Sequence, residues 1–139
     1  MWFFCNMGEK IGVLTSDSTI NLVLDTLKKD KQVIVFANTK RSAEKVAEDV
    51  SDNVKKTSPD FMELSEKALR ALSSPTKQCR RLANCLKKGI AFHHAGLTYK
   101  QRELIEDNFR NGKIKVICST PTLALGLDLP AYRVILKDL

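Results

Sequence analysis

Apolar positions along the chain follow two rhythms, and the two take turns. Ile20, Val23, Leu24 and Leu27 recur at i, i+3, i+4 and i+7, so they share one face of a helix that Asp17 or Ser18 can cap. Val33 to Ala37 is then an unbroken apolar run of strand length. Ala43, Val46, Ala47 and Val50 return to helical spacing. Ser58-Pro59-Asp60 supplies a cap, a proline for the first helical position and an acid for the first turn, with Phe61, Leu64, Ala68 and Leu72 as the inner face. Thr76 opens another helix over Cys79, Leu82, Ala83 and Leu86, and Gly89 stops it. Ile90–Phe92 reads as a strand, Thr98-x-x-Gln101 as a capping box for a helix through Phe109, and Asn111-Gly112 as its stop. Ile114–Cys118 and Tyr132–Leu136 read as strands. At the start, Trp2–Cys5 and Ile11–Thr15 read as two short strands around a turn at Asn6-Met7-Gly8.

Strands apolar on both faces, alternating with helices, predict an α/β fold. We expect an open, mainly parallel sheet with helices on both faces and a helical insertion at about 52–88. The length of 139 residues suits one domain with a sizeable core. We place that domain at 18–139 and read 1–17 as a strand pair connecting it to a preceding domain.

Charge and cysteines narrow the partners. The net charge is +7 and the isoelectric point about 9.3. That suits a polyanion and equally suits a solvated basic surface, because the lysines and arginines form small groups such as Lys28-Lys29, Lys55-Lys56, Arg80-Arg81 and Lys87-Lys88. No apolar run approaches the roughly 18 residues that span a bilayer. Cys5, Cys79, Cys85 and Cys118 form no C-x-x-C pair, which argues against a zinc site. Cys79 and Cys118 fall at apolar positions, as buried free thiols in a reducing compartment do.

The chemistry concentrates where strands run into helices. Val116-Ile-Cys-Ser-Thr-Pro-Thr-Leu-Ala-Leu-Gly-Leu-Asp-Leu-Pro130 reads as a buried strand entering a short helix, with Thr120 as cap, Pro121 at the first position and Gly126 as stop. A helix start at a strand end offers backbone N–H groups and a positive dipole end to phosphate. Thr120 and Thr122 flank those donors; Asp128 either accepts from a sugar hydroxyl or is a turn residue before Pro130. Two other strand ends carry comparable loops, Asn38-Thr39-Lys40-Arg41-Ser42 and His93-His94-Ala95-Gly96-Leu97. If the strands are parallel, all three share the carboxyl edge of the sheet, where α/β folds bind ligands. A row of such loops suits a nucleic-acid backbone. Each loop also has a plainer reading. Asn38-Thr39 can be an ordinary cap, Gly96 can be there for backbone freedom, and Arg102 can form a surface ion pair. His93 and His94 are neighbours on a strand end, so they point to opposite sides and make a poor metal pair. We expect one to be core-facing and hydrogen-bonded and the other to meet ligand.

There is no G-x-x-x-x-G-K-S/T loop, no Asp-Glu pair after a strand for magnesium and no nucleophile elbow. The chain holds half a nucleotide site and is not expected to hydrolyse anything alone.

These residues resemble a known family. Val33-Ile-Val-Phe-Ala-Asn-Thr-Lys-Arg-Ser-Ala-Glu44 resembles helicase motif IV, Phe92-His-His-Ala-Gly-Leu97 motif IVa, and Ser119 to Pro130 motif V. Together they are similar to the second RecA-like domain of superfamily-two DExH-box helicases, of the Ski-two-like branch that includes archaeal DNA-repair helicases. The resemblance covers about residues 30–136. It implies a RecA-like fold and a parent that is an ATP-driven 3′-to-5′ translocase. It further implies that Thr120 and Thr122 hold strand phosphates, with Asn38, Thr39, His94 and Gly96 nearby. Gly126 and Asp128, and with them Arg102, would face ATP and Mg2+ bound mainly by a first RecA-like domain. The family often has Asn where this chain has Asp128, and Asp is usual in related branches. The phosphate loop and DExH box, and the motif VI pattern Q-x-x-G-R-x-G-R, are not in the sequence, so a truncated domain is expected.

The expected partners are single-stranded DNA or RNA and the first RecA-like domain of the same parent. The domain is expected to be monomeric, off the membrane and intracellular, cytoplasmic in a prokaryote or nuclear in a eukaryote. A second class is a stand-alone nucleic-acid-binding module of the same fold without motor activity. A third is an enzyme on a small phosphorylated substrate, for which His93 or His94 would have to be the base.

Overall fold

In the computed structural model the described residues are 2–4, 17–71, 73–121 and 129–137, with side chains from residue 17 onward. Five strands form one sheet in the order β1-β5-β2-β4-β3, where β1 is Trp2–Phe4, β2 Val33–Phe36, β3 Ile90–His93, β4 Val116–Ser119 and β5 Arg133–Leu136. β5, β2, β4 and β3 run parallel, and β1 adds to β5 as an antiparallel edge with Trp2 opposite Leu136. Trp2–Phe4 therefore belongs to the same sheet as the rest of the chain. The second expected N-terminal strand, Ile11–Thr15, lies outside the described residues.

The helices are α1 (Ser18–Lys28), α2 (Lys40–Asp52), α3 (Pro59–Arg70), α4 (Lys77–Leu86) and α5 (Tyr99–Arg110). Their starts follow the expected caps. Asp17, Thr39, Ser58 and Thr76 each accept a first-turn N–H, and Thr98 with Gln101 closes a capping box. α3 and α4 are the helical insertion between β2 and β3. α4 ends where Gly89 takes a left-handed φ of 77°, and a β-carbon there would stand 2.7 Å from Phe61 Cζ. The chain steps from β2 across the sheet to β3 and back to β4. Right-handed crossovers in opposite directions put their helices on opposite faces. The two histidines at the end of β3 show this directly: His93 reaches Glu106 on α5 and His94 reaches Glu44 on α2.

The core is the expected one. Val33, Val35, Ala43, Ala47, Val50, Leu82, Leu86, Ile90, Phe92, Ile105, Phe109, Val116 and Ile117 are all buried. Continuous apolar strands such as Val33–Phe36 are what a sheet covered on both faces requires. Cys79, Cys85 and Cys118 are buried free thiols. Burial pushes the Cys85 thiol up to about 12 and that of Cys118 higher still.

Candidate functional site

Parallel pairing brings the three strand-end loops to one edge. Phe36 lies beside Ser119, and Ser119 beside His93, so Ala37-Asn38-Thr39, Thr120-Pro121 and His94–Leu97 leave the sheet together. Backbone bonds tie the exits: Ala37 N–H donates to Ser119 O at 2.8 Å and Thr120 N–H to His93 O at 3.4 Å. Ser119 Oγ donates to Thr120 O at 2.8 Å. The edge has a fixed order, with the 37–39 loop, the end of β4 and the 94–97 loop in a row.

Each expected residue has a definite place on it. Asn38 and Thr39 are exposed, and Thr39 Oγ1 accepts the Ser42 N–H at 3.0 Å as the cap of α2. Thr120 is nearly buried at 9% exposure. Pro121 follows it, exposed. Thr122, Gly126 and Asp128 lie outside the described residues, together with the short helix they were assigned to. Arg102, in the first turns of α5, is half-buried beside His93, and its Nε has no hydrogen-bond partner among the described residues.

Of the two histidines, one was expected to be core-facing and hydrogen-bonded and the other to meet ligand. Both are buried, His93 at 6% and His94 at 1% exposure, and each bonds a carboxylate. His93 Nε2 lies 2.8 Å from Glu106 Oε1. Burial holds its proton affinity below the usual value of 6.5, outweighing Glu106, which pulls the other way. His94 Nε2 lies 2.7 Å from Glu44 Oε1, and its Nδ1 accepts the Gly96 N–H at 3.0 Å. The Gly96 N–H is thus turned in toward the ring. Leu97 N–H donates to His94 O at 3.2 Å and Thr98 N–H to the Gln101 side chain at 3.1 Å. The loop therefore exposes Ala95, Gly96 and the first turn of α5, where Tyr99 is 71% exposed, while its own amides are largely spent inside.

Glu44, at 7% exposure, is the centre of this arrangement and was not among the expected site residues. Gln78 Nε2 donates to its Oε1 at 2.9 Å and Arg81 Nη1 to its Oε2 at 2.7 Å, both from α4. Arg81 also bonds Glu48 through Nε at 2.9 Å and through Nη2. Burial alone would raise the Glu44 carboxyl, but the bonds from Gln78 and His94 and the Arg81 charge hold it below the usual 4.5. The signal in the sequence was a charged residue bordering the apolar face, one position from Ala43 and three from Ala47.

A mainly parallel open sheet with helices on both faces and three loops leaving its carboxyl edge, two of them opening α2 and α5, is the arrangement of a RecA-like domain. The comparisons with known proteins give the family. The chain belongs to the helicase conserved C-terminal domain family, which matches residues 64–138. It is 41% identical over 131 residues to the ATP-dependent DNA helicase Hel308 of Methanococcus vannielii, covering 91% of this chain and 17% of that protein. It is 45% identical over 127 residues to the protein of the same name from Methanocella arvoryzae, covering 88% and 17%. With that of Thermococcus kodakarensis the identity is 51% over 110 residues, 78% of this chain and 10% of the relative. The chain thus spans about a sixth of the length of the first of these relatives. The resemblance read from the three motifs, to a superfamily-two helicase C-terminal domain of the archaeal DNA-repair type, agrees with these matches.

Proposed function

We propose that the chain is the second motor domain of an ATP-dependent 3′-to-5′ DNA helicase, gripping single-stranded DNA along the carboxyl edge of its sheet and inactive by itself. The observation that supports this most directly is the row of three loops, joined exit to exit by the Ala37–Ser119 and Thr120–His93 backbone bonds. Asn38 and Thr39, the turn His94–Gly96, and Thr120 with Thr122 would then contact successive phosphates. Contacts of this kind position a strand without reading its sequence. Relatives named DNA helicases favour DNA over RNA.

ATP, with Mg2+, would be held mainly by a first RecA-like domain. This domain would complete the cleft with Gly126, Asp128 and Arg102. The half-buried Arg102, whose Nε has no partner among the described residues, fits an anionic group. ATP supplies the free energy of translocation when bound; this chain's share is to hold the strand and close the cleft. We read the domain as monomeric and its parent as intracellular, cytoplasmic in an archaeal host. Among the described residues no helix is long and apolar enough to cross a membrane.

The test is fluorescence anisotropy of a labelled oligo-dT with the 139-residue chain across a salt series. Weak binding that falls steeply with salt, together with no ATP turnover, is expected. ATP hydrolysis by the chain alone, or binding indifferent to salt, would overturn the reading.

A further inference from the structure

We infer that Glu44 is a positioning residue for the 94–97 loop: acting through His94 it fixes the turn that faces the strand, and helix α4 of the insertion holds it in that task. The inference rests on the reading above for what the loop contacts, while its own geometry stands apart from that reading.

A neutral imidazole ring has one N–H and one lone pair, and whichever nitrogen donates leaves the other to accept. Glu44 offers only lone pairs, so His94 Nε2, 2.7 Å from it, must carry the proton. Nδ1 is then the acceptor, and only an acceptor can hold the Gly96 N–H that lies 3.0 Å away. The carboxylate on α2 thus selects the tautomer that captures the loop after β3. Without it, a proton on Nδ1 would face the Gly96 N–H donor to donor.

The ring has no freedom to escape this. It is buried and stacked on Phe92 at 5.7 Å between centroids with planes 8° apart. The carboxylate is held in turn from α4, where Gln78 takes the oxygen it shares with His94 and Arg81 takes the other. The chain of contacts therefore runs from the insertion through α2 to the loop. It gives the insertion a role besides packing, because a movement of α4 that carries off Gln78 and Arg81 loosens the turn at Gly96.

The experiment compares the wild-type chain with Glu44→Gln, Glu44→Ala and Gln78→Ala. It reads the His94 tautomer by long-range nitrogen–proton NMR, the Gly96 amide exchange rate, and oligo-dT affinity. In Glu44→Ala the His94 signature should leave the pure Nε2–H form. Gly96 exchange should rise on the order of tenfold, with amides of β2 and β4 unchanged. Affinity should fall several-fold. Glu44→Gln keeps an oxygen for His94 Nε2 but turns an amide N–H toward Arg81, so it should recover the tautomer and part of the exchange and affinity effects. Gln78→Ala, which leaves the carboxylate in place, should shift Gly96 exchange in the same direction by less, and it serves if Glu44→Ala does not fold. An unchanged tautomer and Gly96 exchange rate in a folded Glu44→Ala, or in Gln78→Ala where Glu44→Ala does not fold, overturns the inference. A loosened loop with undiminished oligo-dT binding leaves the positioning intact and overturns the placing of this loop on the strand.

Discussion

Gly96 and His94 are fitted to each other: a β-carbon on Gly96 would stand 2.9 Å from His94 Cε1 and 3.0 Å from its Nδ1. Gly96 is not among the residues of left-handed φ, which include Gly89 and Gly112. Its requirement is for space beside the imidazole and not for backbone freedom. His94 cannot easily withdraw, since both its nitrogens are engaged. Gly96→Ala should therefore push the loop off the ring, break the N–H to Nδ1 bond and cost about 1–3 kcal/mol as an overpacking change. Urea unfolding measures the cost. A loss below about 0.5 kcal/mol would show that the turn yields without strain.

What could be read in the chain and what could not divides along sequence distance. The strands β2, β3 and β4 were legible because doubly covered parallel strands must be apolar throughout. The opposite directions of His93 and His94 followed from the two-residue period of a strand. The caps at Asp17, Thr39, Ser58, Thr76 and Thr98 were legible because capping is local. Glu44 was not, for its partner His94 lies fifty residues further on and nothing local marks the pairing. Trp2–Phe4 was legible as a strand, but its pairing was not, for its partner is β5 at the far end of the chain. The carboxylate partner of each histidine, Glu106 for His93 and Glu44 for His94, was likewise unmarked by anything local.

His93 should make the fold sensitive to mild acid. Burial lowers its proton affinity below 6.5 in the folded chain, while an unfolded imidazole takes up a proton near that value. The unfolded state then binds more protons, so the contribution of His93 is complete above about 6.5 and is lost as pH falls toward the depressed folded value. The slope should approach about 1.4 kcal/mol per pH unit at most. Glu44, whose carboxyl is held below 4.5, loses its contribution only at lower pH. Urea midpoints at about pH 7.5 and about pH 5.5 should fall less in His93→Gln than in the wild type. Equal falls would assign the acid sensitivity elsewhere.

Arg133 and Asp25 should be unequal partners. Arg133 on β5 is fully buried, and its Nη1 donates to Asp25 Oδ2 at 2.7 Å, Thr26 Oγ1 at 3.1 Å and Leu22 O at 3.2 Å, all on α1. Asp25 is 14% exposed and lies 3.5 Å from a second cation, Lys29. Asp25→Ala removes the carboxylate that lies 2.7 Å from a buried guanidinium and should cost about 3–5 kcal/mol. Arg133→Met replaces it with a side chain of similar reach and leaves Asp25 to Lys29 and water, so it should cost clearly less. Chemical denaturation of the two variants decides the order. A larger loss in Arg133→Met would mean that its packing and carbonyl bond outweigh its charge.

Thr120 carries the most direct test of the proposed strand grip. It stands at the end of β4, in the middle of the row, with its backbone bonded to the exit of β3. If its hydroxyl holds a phosphate, Thr120→Ala removes one hydrogen bond to a charged group. That is worth about 1.5–3 kcal/mol, or roughly a ten- to hundredfold loss of affinity. A hydroxyl displaces no counterion, so the salt dependence should keep its slope. Removing an exposed cation beside the row, as in Lys100→Ala, should lower that slope by about one if the ammonium meets phosphate. Thr120→Ser should restore binding, because it keeps the oxygen. In a full-length parent, Thr120→Ala should also reduce the base pairs opened per ATP consumed, since a strand held loosely slips while the motor cycles. Unwinding per ATP equal to the wild type, with oligo-dT affinity unchanged, would remove Thr120 from the grip and leave it as the residue that ends β4.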